Sequence, residues 1–243
     1  MRLRSIAMPA ATGPLVSPPR EEIPAFLKDI RDLVPDDFEI LGRDDILPRL
    51  VAILNRRKNG NAFLTGFKGS GKTAVAKYFG IQVRRGQIRP PFTFDKGEGV
   101  HVWYMDVNEM MADQSKNMSA KIAELMDFLK KYPNAVVIVD EAHRLAVRDV
   151  RDGSRALENL KPWLTDDTHF VFLCTDEEYR RDVEPIVATD RRWSLVPMAE
   201  PAPTFLRMIL RLVRNQVIRR ELADTDVELV LPDTLLADLL RLT

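Results

Sequence analysis

The stretch Gly66-Phe67-Lys68-Gly69-Ser70-Gly71-Lys72-Thr73 narrows what this chain can fold into more than any other. It fits the pattern G-x-x-x-x-G-K-[ST]. Gly66, Gly69, Ser70 and Gly71 are small enough for the loop to wrap, so that successive backbone N–H groups turn toward one anion. Such a loop needs an apolar strand before it and a helix after it. NAFLT (61–65) supplies the strand. A helix predicted from Lys72 adds the partial positive charge of its N-terminus. Lys72 is expected to reach the β and γ phosphates of a bound nucleotide, and the Thr73 hydroxyl to ligate Mg²⁺. Lys68 belongs to the loop but is not required by the pattern, and reads as a solvated lysine at its rim. The stretch alone says only that phosphate is held.

The rest of the chain supplies the sheet that this loop demands. Apolar strands are predicted at 100–107 (VHVWYMDV), 135–140 (AVVIVD), 169–175 (HFVFLCT) and 193–198 (WSLVPM). Helical spacing separates them, notably over Ser119–Lys131. Asp44 or Asp45 is expected to cap a helix with Ile46, Leu47, Leu50, Val51 and Leu54 on its apolar face. Strands alternating with helices imply a parallel sheet covered on both faces. A short amphipathic helix is predicted over Ile23–Leu33. Long amphipathic spacing runs from Phe205 to Leu222, with a further helical piece at Thr234–Leu240. Residues 1–20 hold Pro9, Pro14, Pro18 and Pro19 and read as a flexible tail.

Charge and cysteine content exclude some classes. Lys plus Arg equals Asp plus Glu at 36 each, so no global basic excess points to nucleic acid. The single cysteine, Cys174, can form no internal disulfide and reads as a small buried residue, which fits a reducing compartment. No run approaches the roughly 18 apolar residues of a membrane helix. A cytoplasmic protein without membrane insertion is expected.

Three further groups carry candidate chemistry. Val136-Val137-Ile138-Val139-Asp140-Glu141 is an apolar strand ending in two acids. Asp140 is placed to support Mg²⁺ and Glu141 to orient and deprotonate an attacking water. The letters Asp140-Glu141-Ala142-His143 also spell DEAH, but helicases of that kind need two nucleotide-binding-like domains, so His143 reads as a loop residue behind the acids. Thr175 ends the strand HFVFLCT, where it either caps the strand or meets the γ-phosphate. Asp190-Arg191-Arg192-Trp193 puts two arginines before the last strand. They are either a solvated pair or arginines delivered to another subunit's phosphate, an effect worth roughly 10³–10⁵ in rate.

With these residues assembled, the chain resembles an AAA+ ATPase, and more narrowly the first ATPase module of the Clp-type unfoldases and disaggregases. FEILGRDDILPRLVAILNRRKNGNAFLTGFKGSGKTAVAKYFG is similar to the opening of that module and CTDEEYRRDVEPIVATDRRWSLVPMAEP to its later part. The resemblance runs from about Phe38 to Leu240. It implies a three-layer α/β/α sandwich with a parallel five-stranded sheet over residues 21–202, followed by the start of a helical lid over 203–243, an incomplete lid. It implies that Ile40 and Leu41 line an adenine pocket and that Thr175 is a sensor of the γ-phosphate. It also implies that Arg191 and Arg192 complete the site of a neighbouring subunit in a homo-oligomeric, hexameric ring. ATP and Mg²⁺ are the implied cofactors, and a protein or assembly the implied substrate.

The family grips polypeptide with an aromatic residue in the loop matching Asn108–Met118. This chain has no Phe, Tyr or Trp there, and Lys116 stands about where the aromatic belongs. Met110 and Met111 are expected in the core. The basic stretch Arg84, Arg85, Arg89 and Lys96 supports a second reading, an accessory ATPase of a DNA transaction, although a nucleic-acid partner is less favoured. A third reading is a nucleotide-gated scaffold with little turnover.

Overall fold

The computed structural model describes residues 18–214, apart from 36–37, 44, 57–58, 89–99, 133, 151–152, 165–167, 189, 201–204, 207 and 213. The strands are β1 (Leu27–Asp29), β2 (Asn61–Gly66), β3 (His101–Asp106), β4 (Ala135–Asp140), β5 (Thr168–Thr175) and β6 (Trp193–Met198). They form one sheet in the order β1-β3-β4-β5-β2-β6. All neighbours run parallel except β1, which pairs antiparallel with β3, Leu27 opposite Met105. The strand carrying the glycine loop, β2, is thus flanked by β5 and β6, and its loop emerges among the carboxyl ends of its neighbours.

Side-chain alternation along each strand builds two cores. On one face, Phe63, Trp103, Val137, Phe170 and Phe172 pack with α4 (Met118–Lys131), a short 3₁₀ helix at Ala142–Ala146 and α5 (Ala156–Leu160). On the other, Leu64, Tyr104, Ile138, Val171 and Val196 pack with α1 (Ile46–Leu54) and α2 (Lys72–Arg84). Because helices cover both faces, β2 is buried at every position. The first core is aromatic: Phe63 stacks on Phe172 at 4.9 Å, and Tyr179 and Trp193 close around it at 5.4 and 5.3 Å. Truncating Phe63 to Ala is expected to cost about 3–5 kcal/mol.

The five expected parallel strands are present, and β1 adds a sixth. It lies where a helix over Ile23–Leu33 was expected. In its place stand β1 and a 3₁₀ turn at Ile30–Asp32, after an earlier 3₁₀ turn at Arg20–Glu22. A helix would lay its apolar residues on one stripe. Here Phe26 and Leu27 enter the first core and Ile30 the second, on the other side of the sheet. Only an extended edge segment serves both, and it also satisfies backbone groups of β3.

The opposite edge of the sheet is β6. There the Pro197 carbonyl accepts from Arg49 Nη1 at 3.2 Å, and Ser194 Oγ accepts from Arg56 Nη1 at 2.5 Å. Asp45 precedes α1 without capping it through its side chain, and Asp44 lies outside the described residues. Residues 205–206, 208–212 and 214 are helical. The helical piece expected at Thr234–Leu240, and most of the tail, lie outside the described residues.

Candidate active site

Gly66 ends β2 against the backbone at the end of β6: a Cβ there would stand 2.7 Å from the Met198 carbonyl oxygen. The loop then turns through Gly69 (φ 79°) and Gly71 (φ 88°), both left-handed, and Ser70 N–H donates to the Phe67 carbonyl at 3.2 Å. Side chains rarely adopt such φ values, which explains glycine at both places. Gly71 offers no side chain to cap α2, so the first amides of that helix are left to an outside acceptor. Lys72 Nζ donates to the carbonyls of Gly66 at 3.0 Å and Phe67 at 2.8 Å, which holds the ammonium over the loop. Ser70 Oγ is buried and has no partner among the described residues. Lys68 is exposed.

Arg43, which ends the segment Ile40-Leu41-Gly42-Arg43 that the family resemblance places at the adenine pocket, braces this loop. Arg43 is buried, and its guanidinium donates to the Ser70 carbonyl at 2.6 Å and the Ala199 carbonyl at 2.7 Å. It therefore ties the glycine loop to the chain leaving β6. Next to it, Gly42 (φ 70°) lies under Phe205, whose ring would be 2.8 Å from an added Cβ. Ile40 and Leu41 are half-buried beside this junction, and Ile40 packs on the second core.

Asp140 ends β4 and gathers the polar groups around it. Its Oδ2 accepts from Thr73 Oγ1 and from Tyr104 Oη, both at 2.8 Å, and its Oδ1 accepts from Glu141 N–H at 3.0 Å. Burial and the Asp140 charge together push the Tyr104 phenol far above its ordinary range, so it stays a donor. Tyr104 was missed in the sequence, where it reads as one more apolar strand position. Its signal is the alternation of β3, which puts it on the same face as α2. Hard oxygen donors on Thr73 and Asp140, already converged, suit Mg²⁺. Glu141 follows in the left-handed region at φ 55°, a strained place for a side chain. Burial, then the charges of Glu178 and Asp140, raise its carboxyl pKa, the direction that makes a carboxylate a better base near neutrality.

Register places Thr175 beside Gly66. Its Oγ1 accepts from Glu178 N–H at 3.2 Å while its own N–H donates to Glu178 Oε2 at 2.9 Å, a reciprocal cap on the helix that begins at Asp176. Thr175 thus caps the following helix rather than the strand. Cys174 is buried in the first core, and desolvation raises its thiol pKa, which leaves it inert.

Arg191 and Arg192 lie at the other end of the sheet. Trp193 is opposite Asn61 and Met198 opposite Gly66, so five strand steps, about 17 Å, separate the arginines from the glycine loop. Arg192 donates to Asp190 at 3.1 Å, and Lys161 stands 3.8 Å from the same carboxylate. Arg191 is exposed and pairs with nothing among the described residues. Together with Lys161 and Asp190 they line an open hollow of about 420 Å³.

The loop matched to the family's polypeptide grip is anchored rather than slack. Met110 is buried as expected, but Met111 is 42% exposed, because α3 (Val107–Ala112) turns the next residue away from the sheet. The buried Lys121 ammonium donates to the carbonyls of Met110 and Asp113 and pairs with the Asp113 carboxylate at 3.3 Å. Lys116 is drawn back onto α4 by Glu124 at 2.7 Å. In the basic stretch, half-buried Arg84 donates to the Val100 carbonyl at 3.1 Å; Arg89 and Lys96 lie outside the described residues.

A glycine loop on β2, an acid-ended β4 and a sheet covered on both faces define a protein of the P-loop nucleotide-binding class. The family described as AAA domain matches residues 27–181, and the chain belongs to it. It is 29% identical over 181 residues to the ATP-dependent Clp protease ATP-binding subunit ClpE of Bacillus subtilis, covering 73% of this chain and 25% of that one. It is 28% identical over 182 residues to the chaperone protein ClpB of Chlamydia muridarum, covering 73% and 20%. The chain thus spans a quarter or less of the length of these relatives. Its fold is similar to that of part of S. cerevisiae Hsp104 in the extended conformation of its casein complex, with a TM-score of 0.64 and 20% identity over 80% of this chain and 33% of that one. No helix among the described residues is long and apolar enough to cross a membrane.

Proposed function

We propose that this chain binds ATP with Mg²⁺, hydrolyses it at the interface between copies in a hexameric ring, and uses the resulting motion to remodel a protein or a macromolecular assembly. The observation that carries the reading is the 2.8 Å hydrogen bond from Thr73 to Asp140, with Glu141 next in the chain. It joins the phosphate loop to the acid strand at one point. Lys72 and the loop amides hold the phosphates, with Gly66, Gly69, Ser70 and Gly71 shaping the cradle and Lys68 at its rim. Ile40 and Leu41 receive the base. Thr73 and Asp140 hold Mg²⁺, which when bound supplies neutralising charge to the phosphates. Glu141 takes the proton of the attacking water. Thr175 reads the γ-phosphate through its remaining O–H. Arg191 and Arg192 sit too far along the sheet to serve their own loop, which supports a role on a neighbour's nucleotide.

The protein substrate is suggested by the chaperone and protease-subunit names of the relatives. The DNA reading is weakened at Arg84, which is half-buried and donates through Nη1 to the Val100 carbonyl. Glu141→Gln tests the enzymatic claim. The variant should bind ATP as the wild type does and release no phosphate above background; equal release by both proteins would sink the reading.

A further inference from the structure

We infer that His143 is a positioning residue that joins Glu141 to the Thr175 strand through Glu178. The inference rests on the hydrolytic reading above and adds to it a group that holds the base in register with the sensor.

His143 sits in the 3₁₀ helix after Glu141, in a ring that is only 8% exposed. Its Nδ1 is buried and completes no hydrogen bond. Two carboxylates face that atom: Glu178 Oε2 at 3.4 Å and Glu141 Oε2 at 3.6 Å. Both distances are longer than a made hydrogen bond, and they differ by little. An unpaired buried nitrogen is costly, so the ring stays where a small turn of either carboxylate completes a bond. Glu178 is itself fixed, because the same Oε2 accepts from Thr175 N–H and its N–H donates to Thr175 Oγ1. Turned onto Nδ1, the carboxylates of Glu141 and Glu178 would link the base through the imidazole to the threonine at the end of β5. The left-handed backbone of Glu141 places its carboxylate beside the imidazole while Asp140, one residue earlier, faces Thr73 and Tyr104. Glu141 alone has a flexible side chain with no other hydrogen bond to fix it among the described residues. The imidazole supplies that restraint, and a change at Thr175 is passed to the base through it.

The test uses the assembled full chain and measures phosphate release and ATP affinity separately. His143→Phe keeps a buried ring and removes both nitrogens. It should lower kcat by roughly tenfold to a hundredfold, the scale for a misplaced catalytic group, with ATP affinity unchanged. His143→Gln, which keeps an N–H donor, should recover part of the rate. Wild-type kcat in His143→Phe overturns the inference, as does a loss of affinity equal to the loss of rate, which marks general damage. A second readout does not depend on turnover. With His143 intact, its ring ¹⁵N resonances should shift in both Glu141→Gln and Glu178→Gln; a resonance unmoved by either substitution overturns the inference. A wild type that releases no phosphate would end the hydrolytic reading, and the ring resonances would still decide whether His143 bridges the two acids.

Discussion

The two ends of the parallel sheet use the same kinds of residue for opposite purposes. At the carboxyl ends, Asp140, Glu141, Thr175 and the glycine loop point their polar atoms into the space where the connections diverge. At the amino ends, Asn61, His101 and His169 are all less than 8% exposed. Asn61 Oδ1 accepts from Phe170 N–H at 2.9 Å, its amide donates to the Arg192 carbonyl at 3.2 Å, and His169 Nδ1 bonds the Gly60 carbonyl at 2.9 Å. One end leaves polar groups for a ligand, as the carboxyl ends of parallel strands commonly do. The other closes its polar groups on the protein. Residue type therefore says little about chemistry until it is known which end of a strand carries the group. Arg191 also emerges at this end, exposed and without a partner among the described residues.

The sharpest way to break this contrast is Arg191→Ala. It should leave ATP binding intact and lower hydrolysis by roughly 10³-fold in the assembled protein. Full activity would make the arginine a solvated bystander and the contrast simpler. The closed end should show itself in acid. Burial, helped by the nearby Arg84 charge, lowers the His101 pKa from 6.5 to about 4. The unfolded chain takes up its proton first, so stability is full above the ordinary histidine pKa and is lost as pH falls from about 6.5 to about 4. The loss should reach about 3 kcal/mol. His101→Phe, which keeps a ring against Trp103, should flatten that part of the stability curve measured by urea unfolding. An unchanged slope would show that His101 is open to water. At the open end, Lys72→Ala should weaken ATP binding about tenfold to a hundredfold, the worth of a charge-assisted hydrogen bond, in an equilibrium titration. Tyr104→Phe is the mildest change. It removes one of three donors to Asp140 and should cost about 1 kcal/mol in thermal stability, with hydrolysis largely kept.

The glycine loop, the acid-ended strand and the alternation of strands with helices could be read from the sequence because each is local. β4 was expected at 135–140 and lies there, since an uninterrupted, mostly β-branched run marks its limits. What was hidden depends on contacts between distant segments. β1 was taken for a helix because its apolar residues recur at helical spacing, and only the presence of two cores separates them. Met111 was placed in the core beside Met110, but adjacent helical residues point apart. Arg43 and Tyr104 gained meaning from partners 27 and 36 residues away. His143 looked like a loop residue until the fold brought Glu178 to it.

β6 is the outer strand on its side, and its Pro197 has no N–H to offer while Arg49 already occupies that residue's carbonyl. This edge is therefore a poor template for a strand of another copy. In the ring proposed above, copies would meet instead through side chains such as the charged corner at Asp190–Arg192. Contacts of that kind loosen as ionic strength rises and re-form when it falls, so the assembly should be reversible and free of fibrous products, with salt as its simplest control.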